Sequence, residues 1–95
     1  DLVVAVSSSG KRPALASRVR DRIARDLGPA YGEFLDLLGE LRPEVIRRFP
    51  NFTVRRKIWY RLVDSEALAL LGAGDREGAL AALRRVLDDA TSAAV

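Results

Sequence analysis

The pattern of apolar and polar positions predicts one short strand followed by about five helices. Residues 2–6 form a continuous apolar, mostly β-branched run that ends at three serines and a glycine, which is typical of a buried strand. A lone strand leaves its backbone donors and acceptors unpaired, so this strand would need a partner strand from a second copy or from another domain. The predicted fold class is therefore mainly α with one N-terminal strand.

The first predicted helix starts at Pro13, where the missing backbone donor of proline does no harm. Apolar residues recur every four positions from Leu15 to Leu27, which gives one apolar stripe opposite an arginine-rich face. Gly28 and Pro29 end the helix.

The rest of the chain is predicted to be helical throughout. A second helix over about residues 30–49 has an apolar face wide enough to be buried on two sides. Pro43 lies inside it, so we expect a kink or a break near Leu41 or Arg42. Residues 91–95 show no periodicity and are predicted to be a tail. The remaining predicted helices span residues 53–63, residues 66–71 after a cap at Asp64 or Ser65, and a stretch that begins after Asp75.

Composition excludes most familiar catalytic chemistry. The 95 residues contain no cysteine and no histidine, so thiol catalysis, zinc–thiolate sites and a histidine base are absent. No apolar run approaches the roughly 20 residues that span a bilayer, and no signal peptide is recognisable, so we expect a soluble, cytoplasmic protein. Charges are segregated: residues 11–25 and 42–61 are strongly basic, whereas residues 26–41 carry four carboxylates and no cation.

The segment between the predicted strand and the first helix is the candidate binding site. Hydroxyl groups, a glycine and two cations precede a helix N-terminus there, and such a helix start attracts carboxylates or phosphates. A nucleotide-binding P-loop does not fit, because Ala5 stands at the first glycine position and Arg12 at the Ser/Thr position. Anion binding and a plain turn with incidental charge remain open. The candidate residues are Ser7, Ser8, Ser9, Gly10, Lys11 and Arg12.

A second basic cluster, at residues 55–57, is followed by Trp59 and Tyr60. Cations beside aromatic rings occur in proteins that bind single-stranded nucleic acid. Trp59 falls on the apolar face of the predicted helix, however, so we interpret it as a core residue. Six carboxylates of the C-terminal half lie at caps and predicted helix ends, where the helix dipole explains them, and no pair of them suggests an acid–base couple. They are Asp64, Glu66, Asp75, Glu77, Asp88 and Asp89. We assign no catalytic, cofactor-binding or metal-binding residue.

One set of residues, spread from residue 4 to Asp75, matches the sequence pattern of a known family. The set consists of residues 4–16, Arg18, Val19, Arg20, Ile23, Gly32, Gly39, Leu41, Arg42, residues 55–57, Trp59, Gly74 and Asp75. On these residues the chain resembles the siroheme synthase family, which combines precorrin-2 dehydrogenase and sirohydrochlorin ferrochelatase. The resemblance extends from residue 1 to about residue 90 and is most specific in residues 4–16. Three positions depart from the family pattern: Ser9, Arg12 and Pro43.

The resemblance implies an enzyme that oxidises precorrin-2 to sirohydrochlorin with NAD and can insert iron, its metal substrate, to give siroheme. It implies a homodimer in which residues 1–29 supply a dimerisation strand, an anion-binding turn and a helix, and residues 30–90 form a C-terminal helical domain. The NAD-binding domain is absent from this chain, so we expect the chain alone to be inactive. The candidate residues 7–12 would contact the carboxylates of the tetrapyrrole.

An alternative is an arginine-rich helical adaptor for an anionic partner such as nucleic acid, which would use the two basic blocks. A helical dimeriser without a ligand is a third possibility. Steep loss of affinity with rising salt on any nucleic-acid sequence would favour the adaptor, whereas the family resemblance implies no binding to nucleic acid or membrane.

Overall fold

The computed structural model describes residues 13–94, and side chains over residues 14–92. These residues form five α-helices and no strand. The helices are α1 (Pro13–Leu27), α2 (Pro29–Arg48), α3 (Phe52–Val63), α4 (Ala67–Gly72) and α5 (Arg76–Ala94).

The predicted fold class was wrong in combining a strand with the helices. Every regular element within residues 13–94 is helical, so this part of the chain offers no strand with which residues 2–6 could pair. Residues 2–6 themselves lie outside the described residues. The apolar run was interpreted as a strand from local residue preference, which is weak evidence when no partner strand supplies the backbone hydrogen bonds.

Helix α2 forms the centre of the structure. It contacts each of the four other helices of the described chain, and seven of its twenty residues are buried. The buried faces of α3, α4 and α5 pack on it, within a flat body of 40 × 31 × 16 Å. The core consists of Phe34, Leu35, Leu37, Leu38, Leu41, Val45, Phe49, Ile58, Trp59, Leu62, Ala67, Leu71, Ala79, Ala82, Leu83, Leu87 and Ala90.

Helix α2 continues through Pro43, so it does not break near Leu41 or Arg42, and a kink there stays a prediction. Proline in a helix interior costs about 3 kcal/mol because it removes one backbone hydrogen bond and crowds the preceding turn. Leu41 and Val45, on either side of Pro43, are 3% and 0% exposed. Burial of each such side chain stabilises the helix by roughly 1.5–3 kcal/mol, so together they offset the cost of the proline.

The last helix is longer than its periodicity predicts. Helix α5 continues to Ala94, because Ala90 extends the buried row of Leu83 and Leu87 and the Thr91 hydroxyl donates to the Leu87 carbonyl over 2.8 Å. Alanine has the highest helix propensity of all residues, and the alanines of this segment sustain the helix where larger apolar residues are missing.

The turns between helices use specific caps. The Asn51 side chain accepts a hydrogen bond from the Val54 amide at the start of α3. At the end of α4, the Gly74 amide donates to the Leu71 carbonyl and the Asp75 amide to the Leu70 carbonyl, with Gly74 at φ 83°. This is a Schellman motif, which needs a left-handed residue at that position.

The start of α5 confirms the predicted cap at Asp75, whose carboxylate accepts from the Gly78 amide over 2.8 Å. A Cβ atom at Gly78 would collide with that same carboxylate, so the glycine makes room for the cap. At α4, the side chain of Ser65 rather than that of Asp64 bonds the backbone: it accepts from the Ala67 amide and donates to the Leu62 carbonyl.

Helices α1 and α2 form an antiparallel hairpin joined by the single residue Gly28. Gly28 has a φ of 117°, which favours glycine, and its carbonyl accepts from the Tyr31 amide. The two helices approach most closely where Gly32 faces Ala24: a Cβ atom built on Gly32 would lie 2.8 Å from the Ala24 Cβ and 3.1 Å from the Arg20 Cζ. The absence of a side chain at Gly32 therefore sets the distance between the helices.

We predict that Gly32→Ala destabilises the protein by about 1–3 kcal/mol, because the added methyl group forces α1 away from α2. Gly39→Ala, on the same helix, is the matched control. A Cβ atom there meets nothing within 4 Å, so this change should stabilise by about 0.5–1 kcal/mol through helix propensity. Urea denaturation followed by circular dichroism measures both free energies of unfolding, and equal effects of the two substitutions would contradict this account of the hairpin.

Candidate functional site

The six predicted anion-binding residues precede the described part of the chain. Ser7, Ser8, Ser9, Gly10, Lys11 and Arg12 lie outside the described residues. The described part of the chain begins with the helix that follows these residues. Helix α1 begins at Pro13, directly after Arg12, and its N-terminus carries the partial positive charge of the helix dipole.

Helix α1 packs on a single neighbouring helix. Among the described helices it contacts only α2, and none of its described side chains is fully buried. Ile23 packs partly against the core, whereas Leu15 and Leu27, at the two ends of the apolar stripe, are 50% and 58% exposed. The close approach at Gly32 and the ion pair described next both belong to this contact with α2.

Arg20 on α1 and Asp36 on α2 form a bidentate ion pair. The Arg20 Nε atom donates to Asp36 Oδ1 over 3.0 Å, and Nη2 donates to Oδ2 over 2.7 Å. A third, longer contact of 3.4 Å joins Arg20 to Asp21. The hydrogen bonds and the negative charge of Asp36 raise the pKa of Arg20 above its ordinary value. The fork geometry fixes the direction of both side chains as well as their distance.

Sequence reasoning missed this pair, although the sequence holds a signal for it. In an antiparallel hairpin, residues at equal distances before and after the turn face each other. Ala24 and Gly32 stand four residues from Gly28, and Arg20 and Asp36 stand eight residues from it. A small pair followed one helical turn later by opposite charges indicates two helices in close contact.

Helix α3 presents an unusual exposed surface. Trp59 is only 6% exposed and belongs to the core, as interpreted from the sequence. Phe52 and Tyr60 are 70% and 46% exposed, and the guanidinium groups of Arg55 and Arg56 lie over their rings at 5.9 and 5.8 Å. We call the exposed residues Phe52, Val54, Arg56, Lys57, Tyr60 and Arg61 the α3 surface.

The cations of the α3 surface have no carboxylate partner within the described chain. Helix α3 contains no acidic residue, and Arg56, Lys57 and Arg61 take part in no ion pair among residues 13–94. Lys57 and Arg61 are like charges four residues apart, an arrangement that destabilises an isolated helix. By contrast, Glu44 pairs with Arg48 within α2 and with Arg84 of α5.

Four exposed carboxylates are unpaired within residues 13–94: Glu33, Asp64, Glu77 and Asp89. One copy of the protein thus carries unpaired groups of both signs on its surface. Pairing between copies would satisfy them without any other partner.

The described residues do not fit a dinucleotide or a metal ion. A dinucleotide site of the Rossmann type needs a strand, a glycine-rich turn and a helix, and residues 13–94 contain no strand. Over the same residues, no group of three or more metal-ligating side chains comes together. No helix in this part of the chain is long and apolar enough to cross a membrane.

Two family models match the chain. One, described as the sirohaem synthase dimerisation region, matches residues 30–87, which comprise nearly all of α2 to α5. The other, described as sirohaem biosynthesis protein central, matches residues 1–26 and includes most of α1. The term dimerisation thus belongs to residues 30–87, whereas the sequence-based division assigned dimerisation to residues 1–29.

Curated proteins named siroheme synthase match almost the entire chain. The protein from Psychrobacter arcticus is 36% identical over 88 residues, which are 93% of this chain and 16% of the relative. That from Nitrosospira multiformis is 36% identical over 90 residues, 95% of this chain and 19% of the relative. That from Ruthia magnifica is 33% identical over 94 residues, 99% of this chain and 20% of the relative.

The chain therefore spans no more than about a fifth of the length of these relatives. No solved structure matches it. The matches give no support to the alternative of an arginine-rich adaptor for nucleic acid.

Proposed function

Because the chain belongs to the siroheme synthase family, we propose that it is the dimerisation part of a siroheme-biosynthesis enzyme and that the α3 surface is its dimer contact. The observation that carries the proposal is the coincidence of two facts. The family model described as a dimerisation region matches residues 30–87, and within that range α3 exposes more large apolar side chains than any other helix.

The composition of the α3 surface suits a protein–protein contact. Arginine, tyrosine and phenylalanine are enriched at the centres of such interfaces, and tyrosine and arginine are frequent among the few residues that contribute most of the binding energy. The arginines already cover one face of the Phe52 and Tyr60 rings, so these aromatic groups are poorly available for stacking on nucleic-acid bases.

A second copy of the chain supplies the opposite charges that the α3 surface needs. Glu33, Asp64, Glu77 and Asp89 are exposed and unpaired in the described part of each copy. Around a two-fold axis, any contact of the α3 surface with these carboxylates occurs twice, which doubles its contribution. The ion pairs would chiefly select the partner and its orientation, while the apolar side chains provide the affinity.

The full-length enzyme, of which this chain is the dimerisation part, oxidises precorrin-2 to sirohydrochlorin. It binds NAD in a domain that residues 13–94 do not contain. In a parent that is also a ferrochelatase, iron is then inserted as a substrate. The enzyme acts in the cytoplasm, and the 95-residue chain alone is inactive. In this scheme the 95-residue chain holds two copies of the enzyme together and supplies part of the tetrapyrrole site.

That part of the site is the segment before α1. Ser7, Ser8, Ser9, Gly10, Lys11 and Arg12 bind carboxylates of the tetrapyrrole. Support comes from the start of α1 at Pro13, whose positive helix end lies next to Lys11 and Arg12 in the chain. Cations that reinforce a helix N-terminus are a suitable receptor for carboxylates.

We predict that Phe52→Ala combined with Tyr60→Ala raises the dimer dissociation constant at least about tenfold, because both side chains are lost from the contact. Both residues are largely exposed in a single copy, so the fold should be retained. Sedimentation velocity across a dilution series measures the dissociation constant.

Leu15→Ala is the matched control for this experiment. Leu15 is a similarly exposed apolar residue, but it lies on α1, outside the range of the dimerisation model. Its substitution should leave the dissociation constant unchanged. A wild-type chain that remains monomeric, or an equal loss in the control, would contradict the α3 surface as the dimer contact.

We also predict that Lys11→Ala and Arg12→Ala each weaken sirohydrochlorin binding by the full-length enzyme about tenfold, because a charge-assisted hydrogen bond contributes roughly 1.5–3 kcal/mol. The control is Arg18→Ala with Arg25→Ala, which removes two exposed cations from α1 itself. Fluorescence titration gives the affinities. Unchanged affinity in both Lys11→Ala and Arg12→Ala would refute the assignment of the segment.

A further inference from the structure

We propose that Arg55 is a positioning residue, which holds the exposed Phe52 ring in place for the contact between two copies of the chain. The proposal rests on the proposed function, because it concerns the α3 surface and the second copy that binds there. It explains a feature that the dimer contact alone leaves unexplained. One guanidinium group of α3 is bonded to the backbone of the preceding turn.

Phe52 is the side chain that has to be held. It is the first residue of α3 and is 70% exposed, and it belongs neither to the core nor to the partly buried residues packed against the core. Packing against the core therefore does not fix its ring. A side chain that rotates freely loses this freedom when it enters an interface, and the loss lowers the affinity. A ring that is held beforehand avoids most of this loss.

Arg55 is itself fixed by the turn between α2 and α3. Its Nη1 atom donates hydrogen bonds to the carbonyl oxygens of Phe49 and Pro50, each over 3.1 Å. Such bonds are charge-assisted and are stronger than those between neutral groups. The Arg55 amide also donates to the Asn51 carbonyl over 2.9 Å, so both the backbone and the side chain of Arg55 are bonded to the turn. The guanidinium group consequently has little freedom to move.

The fixed guanidinium group lies over the Phe52 ring, with the Arg55 Cζ atom 5.9 Å from the ring centroid. Residues three positions apart are neighbours on a helix surface, and the face of an aromatic ring attracts a cation. The turn, Arg55 and Phe52 thus form a series of contacts that ends at an exposed aromatic ring. Arg55 itself is half-buried, so it acts on the second copy through Phe52.

Arg56 provides a comparison within the same helix. Its guanidinium group lies over the Tyr60 ring at 5.8 Å, but Arg56 is exposed, and the turn carbonyls bond Arg55 instead. Arg56 therefore has the same charge and the same kind of ring contact without the bonds to the turn. The substitution Arg56→Ala is the matched control for Arg55→Ala.

A double-mutant cycle on the dimer dissociation constant, measured by sedimentation velocity, tests the proposal. Arg55→Ala should raise the dissociation constant about fivefold, which is the effect of having to order one side chain on binding. In a chain that carries Phe52→Ala, the same substitution should change it by less than about twofold, because no ring remains to be held. Arg56→Ala should have the same effect with and without Phe52, because Arg56 contributes its own charge to the contact.

The motion of the Phe52 ring can be measured in the monomer, which is obtained by dilution and checked by sedimentation. The chain has three phenylalanines, of which Phe34 and Phe49 are buried. With ¹³C-labelled phenylalanine, the Phe52 signal is the one that Phe52→Ala removes. Nuclear relaxation of its Cζ atom, which lies on the axis of ring flips, reports motion of the whole ring. We expect motion of larger amplitude in Arg55→Ala and unchanged motion in Arg56→Ala.

Each result decides a different part of the proposal. An equal effect of Arg55→Ala with and without Phe52 overturns it, and so does an unchanged ring motion. Loss of the dimer that follows a lower free energy of unfolding, and persists in the Phe52→Ala chain, would indicate a merely structural role. If Phe52→Ala weakens the dimer, the proposed contact stands whatever Arg55→Ala does. If the wild-type chain stays monomeric, the proposed contact fails and with it the use of the ring.

Discussion

The burial of α2 is the interaction on which the rest of the structure depends. Each of the other four described helices contacts α2, and its buried residues Phe34, Leu38 and Val45 are completely inaccessible to solvent. The same burial keeps α2 helical through Pro43. Helix α2 therefore connects α1 with the helices that carry and surround the proposed dimer contact.

Much of the helical structure could be predicted because it follows from local rules. The four-residue spacing of α1, the stop at Gly28 and Pro29, and the Asp75 cap each depend on neighbours in sequence, and the structure has all three. Two predictions, a break near Leu41 or Arg42 and a tail over residues 91–95, were wrong for the opposite reason. Both depend on the burial of apolar side chains against residues that are distant in sequence. The buried side chains are Leu41 and Val45 in one case and Ala90 in the other. The predicted fold class was wrong because it included a strand. A strand needs a partner strand, and residues 13–94 provide none.

Part of the candidate site could likewise be predicted from the sequence, and part could not. The resemblance to siroheme synthases could be read from the sequence, and the family models and relatives confirm it. The anion-binding role of residues 7–12 stays a prediction, because those residues lie outside the described chain. The α3 surface was noticed as a basic patch, but only the structure distinguishes buried Trp59 from exposed Phe52 and Tyr60. The Arg20–Asp36 pair required the hairpin geometry, which residue types alone do not specify.

The central claim, that the α3 surface is the contact between two copies, can be tested directly by zero-length crosslinking. Lys57 is the only lysine within residues 13–94, so a carbodiimide joins its amine to carboxylates at a defined place on the α3 surface. An equal mixture of ¹⁵N-labelled and unlabelled chain identifies crosslinks between copies by mass spectrometry. The account predicts mixed-isotope crosslinks from Lys57 to Glu33, Asp64, Glu77 or Asp89 of the other copy, and their loss in Lys57→Arg. A dimer whose crosslinks between copies never include Lys57 would contradict it.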